Sequence, residues 1–239
     1  AHYRLGLLLT LSDPNEAVSQ LLYASQLDPQ FDPAAQTLRT ALNLSALAGT
    51  PSEQKVLIGR GLGLVEEWEL AQAAFEDAVK LDDGNADAWA WLGESDQQTA
   101  GDEALNHFDR ALDLDPNSPV VRGLRGLYFQ RTGNHRQSLA EFQAAAKLEP
   151  ENPAWYVSIG EEFANLGDLI MALEAYQVAT TAAPEEASYW RLLADFCARN
   201  GIRMRDVGIP AAQTAVKLAP DDPLALDTLG WVLALAYVR

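Results

Sequence analysis

Residues 153–186 read PAWYVSIGEEFANLGDLIMALEAYQVATTAAPEE. Tyr156, Ile159, Gly160 and Phe163 fall at i, i+3, i+4 and i+7, one face of an amphipathic helix. Gly167 closes that helix and Asp168 offers its carboxylate as the N-cap of the next. Ala172, Tyr176 and Ala179 continue the apolar stripe, and Pro184 stops it. The stretch is a pair of helices joined by a tight turn.

The same pattern returns along the chain. Gly59, Gly93, Gly126, Gly160, Ala194 and Gly230 follow one another at intervals of 34, 33, 34, 34 and 36 residues. Pro116, Pro150, Pro184 and Pro220 keep time with them at 34, 34 and 36. A fixed period of this length means stacked copies of one supersecondary unit. The regular units are 51–85, 86–118, 119–152 and 153–186. Residues 1–31 form a first unit whose second helix is capped by Asp13, Pro14 and Glu16, and 187–222 carries about two extra residues around Arg203 to Ile209. Residues 32–50 read as an extra helix with Leu38, Ala41, Leu42 and Leu47 as its buried face, and 223–239 as a terminal half-unit.

Several copies agree on more than the spacing. Trp89, Leu92 and Gly93 sit as W-x2-L-G, and Ala71, Phe75 and Ala78 as A-x3-F-x2-A. Ala104 with Phe108, Phe142 with Ala145, and Trp190 with Leu193 repeat parts of it. This resembles the tetratricopeptide repeat, W-x2-L-G-x2-Y, then A-x3-F, then P. The resemblance covers nearly the entire chain. It implies one all-α domain over 1–239, a right-handed superhelical α-solenoid of stacked helix-turn-helix repeats, with about fourteen helices and no strands. Arg125 departs from the pattern where the family prefers Leu, and Asp96 where it prefers an aromatic. Their joint loss of apolar character suggests an ion pair between neighbouring units.

Composition bounds the chemistry. A net charge of −17 in 239 residues argues against sequence-independent binding to nucleic acid or anionic lipid, which needs a basic stripe. Thirteen Arg against four Lys point to a GC-rich bacterial genome. The run Leu5 to Leu11 fits the repeat register better than a secretion signal, and Leu229 to Val238 is about half of a ~20-residue membrane span. Direct membrane insertion is not expected. The chain reads as a soluble segment, with a lean towards the cytoplasm.

No catalytic, cofactor or metal site is expected. His2, His107 and His135 lie in different units without ligand spacing, and Cys197, the single cysteine, falls at a core place. Gly59-x-Gly61-x-Gly63 has glycines enough for a phosphate loop but sits inside a helical pattern with no strand before it. The acid pairs Asp82–Asp83 and Asp221–Asp222 read as turn caps. Arg122, Arg125, Arg131 and Arg136 form a basic island without an acid between Pro119 and Arg136, best read as complementing acids of neighbouring units.

The resemblance also implies where a partner would sit, because the first helix of each unit lines the concave face in this family. The places carried over are Val56 and Arg60 beside Glu53, then Ala90, Glu94 and Gln98 beside Asp87. Val120, Gly123, Leu127 and Arg131 follow. Val157, Glu161 and Asn165 come next to Ala154, and Arg191, Asp195 and Arg199 next to Ser188. An exposed mid-helix Gly123 would cost about 1 kcal/mol against alanine, which suggests close approach of a ligand there. The Lys, Arg and Asn set with which some relatives grip a C-terminal carboxylate is absent from the matching places.

The expected function is a non-catalytic protein–protein interaction scaffold that binds a peptide or helix of a partner protein in its concave groove. The alternative is a recognition or oligomerisation segment of a larger multidomain protein, enzymatic or membrane-associated. The last helix is apolar nearly all round, with Leu226, Leu229, Trp231, Leu233, Leu235 and Tyr237. It suggests either a piece of a longer array or self-association, with Trp231 and Leu235 as the association residues.

Overall fold

The computed structural model describes residues 1–238, with the side chain of Val238 outside the description. Among the described residues there are fourteen α-helices and no strand. The chain divides into two compact units, residues 1–128 and 129–239. The first holds α1 (His2–Leu9), α2 (Pro14–Leu27), α3 (Asp32–Ser45), α4 (Pro51–Leu64), α5 (Trp68–Leu81), α6 (Ala86–Gln98), α7 (Ala104–Leu114) and most of α8 (Pro119–Arg131). The second holds α9 (His135–Leu148), α10 (Pro153–Asn165), α11 (Leu169–Ala182), α12 (Ala187–Asn200), α13 (Ile209–Leu218) and α14 (Pro223–Val238).

Local chemistry starts several helices where the sequence suggests. Asp13 accepts from the Glu16 amide at 3.1 Å, and Asp168 from that of Met171 at 3.1 Å. Thr50 and Glu53 close a reciprocal capping box at the head of α4. Asp82 and Asp222 accept from the amides of Gly84 and Leu224, both at 3.0 Å, so one acid of each pair caps its turn.

Within a repeat the two helices meet at the small residue. A Cβ on Gly59 would lie 2.5 Å from Phe75, one on Gly93 3.2 Å from Phe108, and one on Gly160 2.9 Å from Tyr176. Phe75 and Phe108 are wholly buried in these slots. The three glycines from Gly59 to Gly63 are therefore packing residues inside α4, not a loop. Gly230 stands at the same place in α14, and nothing lies within 4 Å of where its Cβ would be.

The turns between repeats carry a second regularity. Arg122 Nη2 donates to the Pro116 carbonyl at 3.2 Å, Tyr156 Oη to that of Pro150 at 3.0 Å, and Trp190 Nε1 to that of Pro184 at 2.8 Å. Trp89 does the same to Asp83, again six residues back, at 2.9 Å. The timekeeping prolines thus end one helix and also accept a bond from the next.

α3 interrupts the two-helix alternation, packing between α2 and α4. Its buried face is Ala35, Leu38, Leu42 and Ser45, with Ala41 closing directly onto Gly61. Leu47 was expected in that face but lies past the helix end and is 82% exposed. The extra residues before α13 are absorbed as a π-helical turn, Met204–Gly208, which starts after Arg203 at φ 46°. Cys197 is wholly buried against that turn, and burial pushes its thiol up to about 11, so it behaves as a small core residue.

Gly59→Ala is expected to lower stability by about 1–3 kcal/mol, because a core ring must move. Gly230→Ala, in open space on a helix, is expected to leave stability unchanged or raise it by up to about 1 kcal/mol. Urea unfolding of the two variants checks the contrast, and equal destabilisation would contradict it.

Candidate partner-binding clefts

In the first compact unit the expected groove residues divide sharply by burial. Arg60 is exposed, with its guanidinium carbon 5.0 Å from the centre of the Trp91 ring. It borders two clefts. One, of about 650 Å³, lies between α3 and α4. The other, of about 370 Å³, is lined by Val56 together with Glu53, Asp82 and Asp87. Burial pushes the Asp87 carboxyl above its ordinary value and nearby Asp115 adds to this, while Arg60 and the Ser118 hydroxyl oppose it.

Other expected positions offer little. Ala90 has no exposed surface, and Gly123 is buried, which corrects its reading as an exposed helix glycine. Both are small residues on a face that neighbouring side chains cover. Glu94 is 4% exposed and accepts from Gln97 at 3.3 Å and Gln98 at 3.2 Å. Val120 and Leu127 are half-buried, and Arg131, at the start of the second compact unit, is exposed.

The second compact unit brings four expected residues to one place. Glu161, Asn165, Asp195 and Arg199 line a cleft of about 490 Å³ between α10 and α12. Its floor includes Tyr176 and Phe196, whose ring centres are 4.9 Å apart. Arg199 Nε lies 2.9 Å from Asp195 Oδ2, one turn along α12. Glu161 keeps exposed surface, yet loss of water around its carboxyl pushes the pKa above the ordinary value. Gln130 at 3.3 Å and Arg199 oppose that shift, and Glu162 adds to it. Burial, then Glu161 and Asp195, push the Tyr176 phenol well above its usual range. Val157 and Arg191 are half-buried on the same two helices.

The expected Asp96–Arg125 ion pair is not what forms. Asp96 accepts from Gln72 Nε2 at 2.8 Å and lies 2.7 Å from His107 Nδ1, whereas Arg125 donates to Asp109 at 2.7 Å. Each charge finds a nearer partner on its own or an adjacent helix. The second compact unit has a counterpart that sequence reasoning missed. Glu162 is wholly buried, 2.8 Å from His135 Nδ1, and accepts from Gln130 Nε2 at 2.6 Å. A buried carboxylate is tolerated only with its oxygens engaged, and here one histidine and one glutamine engage both. An acid on the inner face of α10 was the available signal. Within the basic island, Arg122 and Arg125 are turned to acceptors of the same compact unit, and Arg136 is exposed.

Among the described residues no three or more His, Cys, Asp or Glu side chains gather as metal donors, and no helix is long and apolar enough to cross a membrane. On α14, Leu224, Leu226, Trp231 and Tyr237 are exposed, whereas Leu235 packs into the core of the second compact unit. Leu235 is thus half-buried against that core, on a helix that packs on α12 and α13.

Residues 58–119 and 124–187, more than half of the chain, match the profile described as tetratricopeptide repeat. The chain belongs to the tetratricopeptide-repeat family. Its proteins are generally non-catalytic scaffolds for protein–protein interaction. Among solved structures it resembles the APC/C hetero-tetramer Cut9–Hcn1, with TM-score 0.61 and 16% identity over 97% of this chain and 42% of that one. It also resembles YrrB, described as a TPR protein with an unusual peptide-binding site, with TM-score 0.54 and 23% identity over 73% of this chain and 89% of that one. A thermophilic TPR protein of Thermus thermophilus gives TM-score 0.58 and 20% identity over 78% of this chain and 99% of that one. In sequence, 75 residues are 29% identical to anaphase-promoting complex subunit 3 of Schizosaccharomyces pombe, 31% of this chain and 11% of that protein. The chain thus spans about a tenth of the length of that curated relative. These likenesses concern the fold.

The raised Glu161 pKa has a stability consequence. The folded state holds the proton more tightly than the unfolded state, so stability falls as pH rises from the ordinary glutamate value through the raised one. Glu161→Gln is expected to reduce that fall, giving a flatter dependence of Tm as pH rises above about 4. An unchanged slope in thermal melts would contradict the assignment.

Proposed function

We propose that this tetratricopeptide-repeat chain binds a peptide or helix of a partner protein along the first helices of its repeats. The observation that carries the reading is the α10–α12 cleft, where Glu161, Asn165, Asp195 and Arg199 meet above an aromatic floor. Polar groups that converge over an apolar base orient a ligand while the base supplies contact area. The acids of this cleft and of the one beside Arg60 favour a segment with basic residues. No chemistry is asked of the site, so its work is recognition by shape and charge.

Peptides selected from a displayed random library against the intact chain supply the test. Calorimetric titration of those peptides is expected to show at least about tenfold weaker binding to Glu161→Lys, because an attractive charge becomes a repulsive one. Peptides that bind Glu161→Lys and wild type equally would remove this cleft from the reading.

A second reading, as the recognition or oligomerisation segment of a larger protein, is favoured by α14. It exposes Leu224, Leu226, Trp231 and Tyr237, and nothing lies within 4 Å of where a Cβ on Gly230 would be. If this face joins copies of the chain, light scattering after size exclusion shows a dimer that Trp231→Glu with Tyr237→Glu converts to a folded monomer. A monomeric parent would exclude self-association through α14.

A further inference from the structure

The insertion of α3 gives the first compact unit a concavity between α3 and α4. At one point α3 and α4 touch, with Ala41 set against Gly61, where no larger side chain fits. Beside that contact lies the cleft of about 650 Å³, lined by Thr37, Thr40, Leu44, Leu57 and Leu64 and closed at one side by Arg60. Leu44 is 51% and Leu64 76% exposed. Single exposed leucines are ordinary on a surface, but here two of them share one hollow with the half-buried Leu57.

What fills the hollow is constrained by the neighbouring cleft. Leu57 and Arg60 belong to the linings of both. Beyond Arg60 stand Glu53, Asp82 and Asp87, three carboxylates against one guanidinium that is already laid over Trp91. Glu53 and Asp82 each accept from a backbone amide. An occupant that runs from the apolar hollow past Arg60 therefore meets a net negative field, whose complement is a cation.

We propose that α3 and α4 form a docking site for a partner's short amphipathic segment, with an apolar side chain seated between Leu44 and Leu64 and an adjacent Lys or Arg facing Asp87. The proposal rests on the scaffold reading only in taking a protein segment as ligand. It puts the recognition in a different compact unit from the α10–α12 cleft, on a helix that lies outside the repeat.

The test uses the whole chain and short synthetic fluorescent peptides in a polar background, carrying one leucine and one lysine at every relative spacing. Fluorescence polarisation is expected to show binding at a subset of spacings, weakened about tenfold or more when the leucine becomes serine or the lysine becomes glutamate. Leu44→Ser with Leu64→Ser, both on exposed positions, and separately Asp87→Asn, are expected to produce the same loss with the thermal melt preserved. Absence of binding at every spacing, or equal binding to the variants, overturns the proposal. A dimer of the parent that dissolves in Leu44→Ser with Leu64→Ser also overturns it, since a second copy then covers the hollow. Failure here with retained Glu161-dependent binding of the displayed peptides removes this site alone. Failure of both removes the scaffold reading as well.

Discussion

The approach of the two helices within one repeat is the constraint on which the other packing depends. With hydrogen alone at Gly59, Gly93 and Gly160, the partner helix comes near enough for Phe75, Phe108 and Tyr176 to occupy the space a side chain would take. Those aromatics then reach the next repeat, where Phe75 lies 6.0 Å from Trp91, Phe108 5.7 Å from Tyr128 and Tyr176 4.9 Å from Phe196 between ring centres. In these three pairs of helices a tight inner contact thereby supplies the ring that joins the pair to its neighbour. Even α3, which is no part of a repeat, is admitted by the same device at Gly61.

The sequence carried the architecture because period and helix face are properties of spacing. The all-helical repeat with about fourteen helices was legible for that reason. What spacing does not carry is the length of a neighbouring side chain. Ala90 and Gly123 have the phase of groove residues, yet they are small and lie beneath the surface. The pairing of Asp96 failed for a related reason. Periodicity identifies a misplaced charge, but Gln72 and His107 are reached through packing between helices, which one sequence does not display. Glu162 directly follows the groove place Glu161, and spacing alone does not tell the two acids apart. One residue of helical rotation separates an exposed acid from a wholly buried one.

The clefts show how an acidic chain avoids a uniform field. Arg60 over Trp91 and Arg199 against Asp195 interrupt the negative surface at the places where the hollows open. A ligand there meets carboxylates whose ionisation is already uphill because water has been withdrawn, as at Asp87 and Glu161. Arrival of a cation restores what burial removed, so attraction at these sites is local and less exposed to screening than a long-range field.

The bonds that run six residues back to Pro116, Pro150 and Pro184 act as latches on successive turns. The place that follows Arg122, Tyr156 and Trp190 in this series is held by Leu226, whose side chain has no hydrogen to donate to Pro220. The joint before α14 is therefore the unlatched one. Amide protons of α14 should exchange with deuterated solvent ahead of those in α12, and the repeat would open in order from that hinge inward.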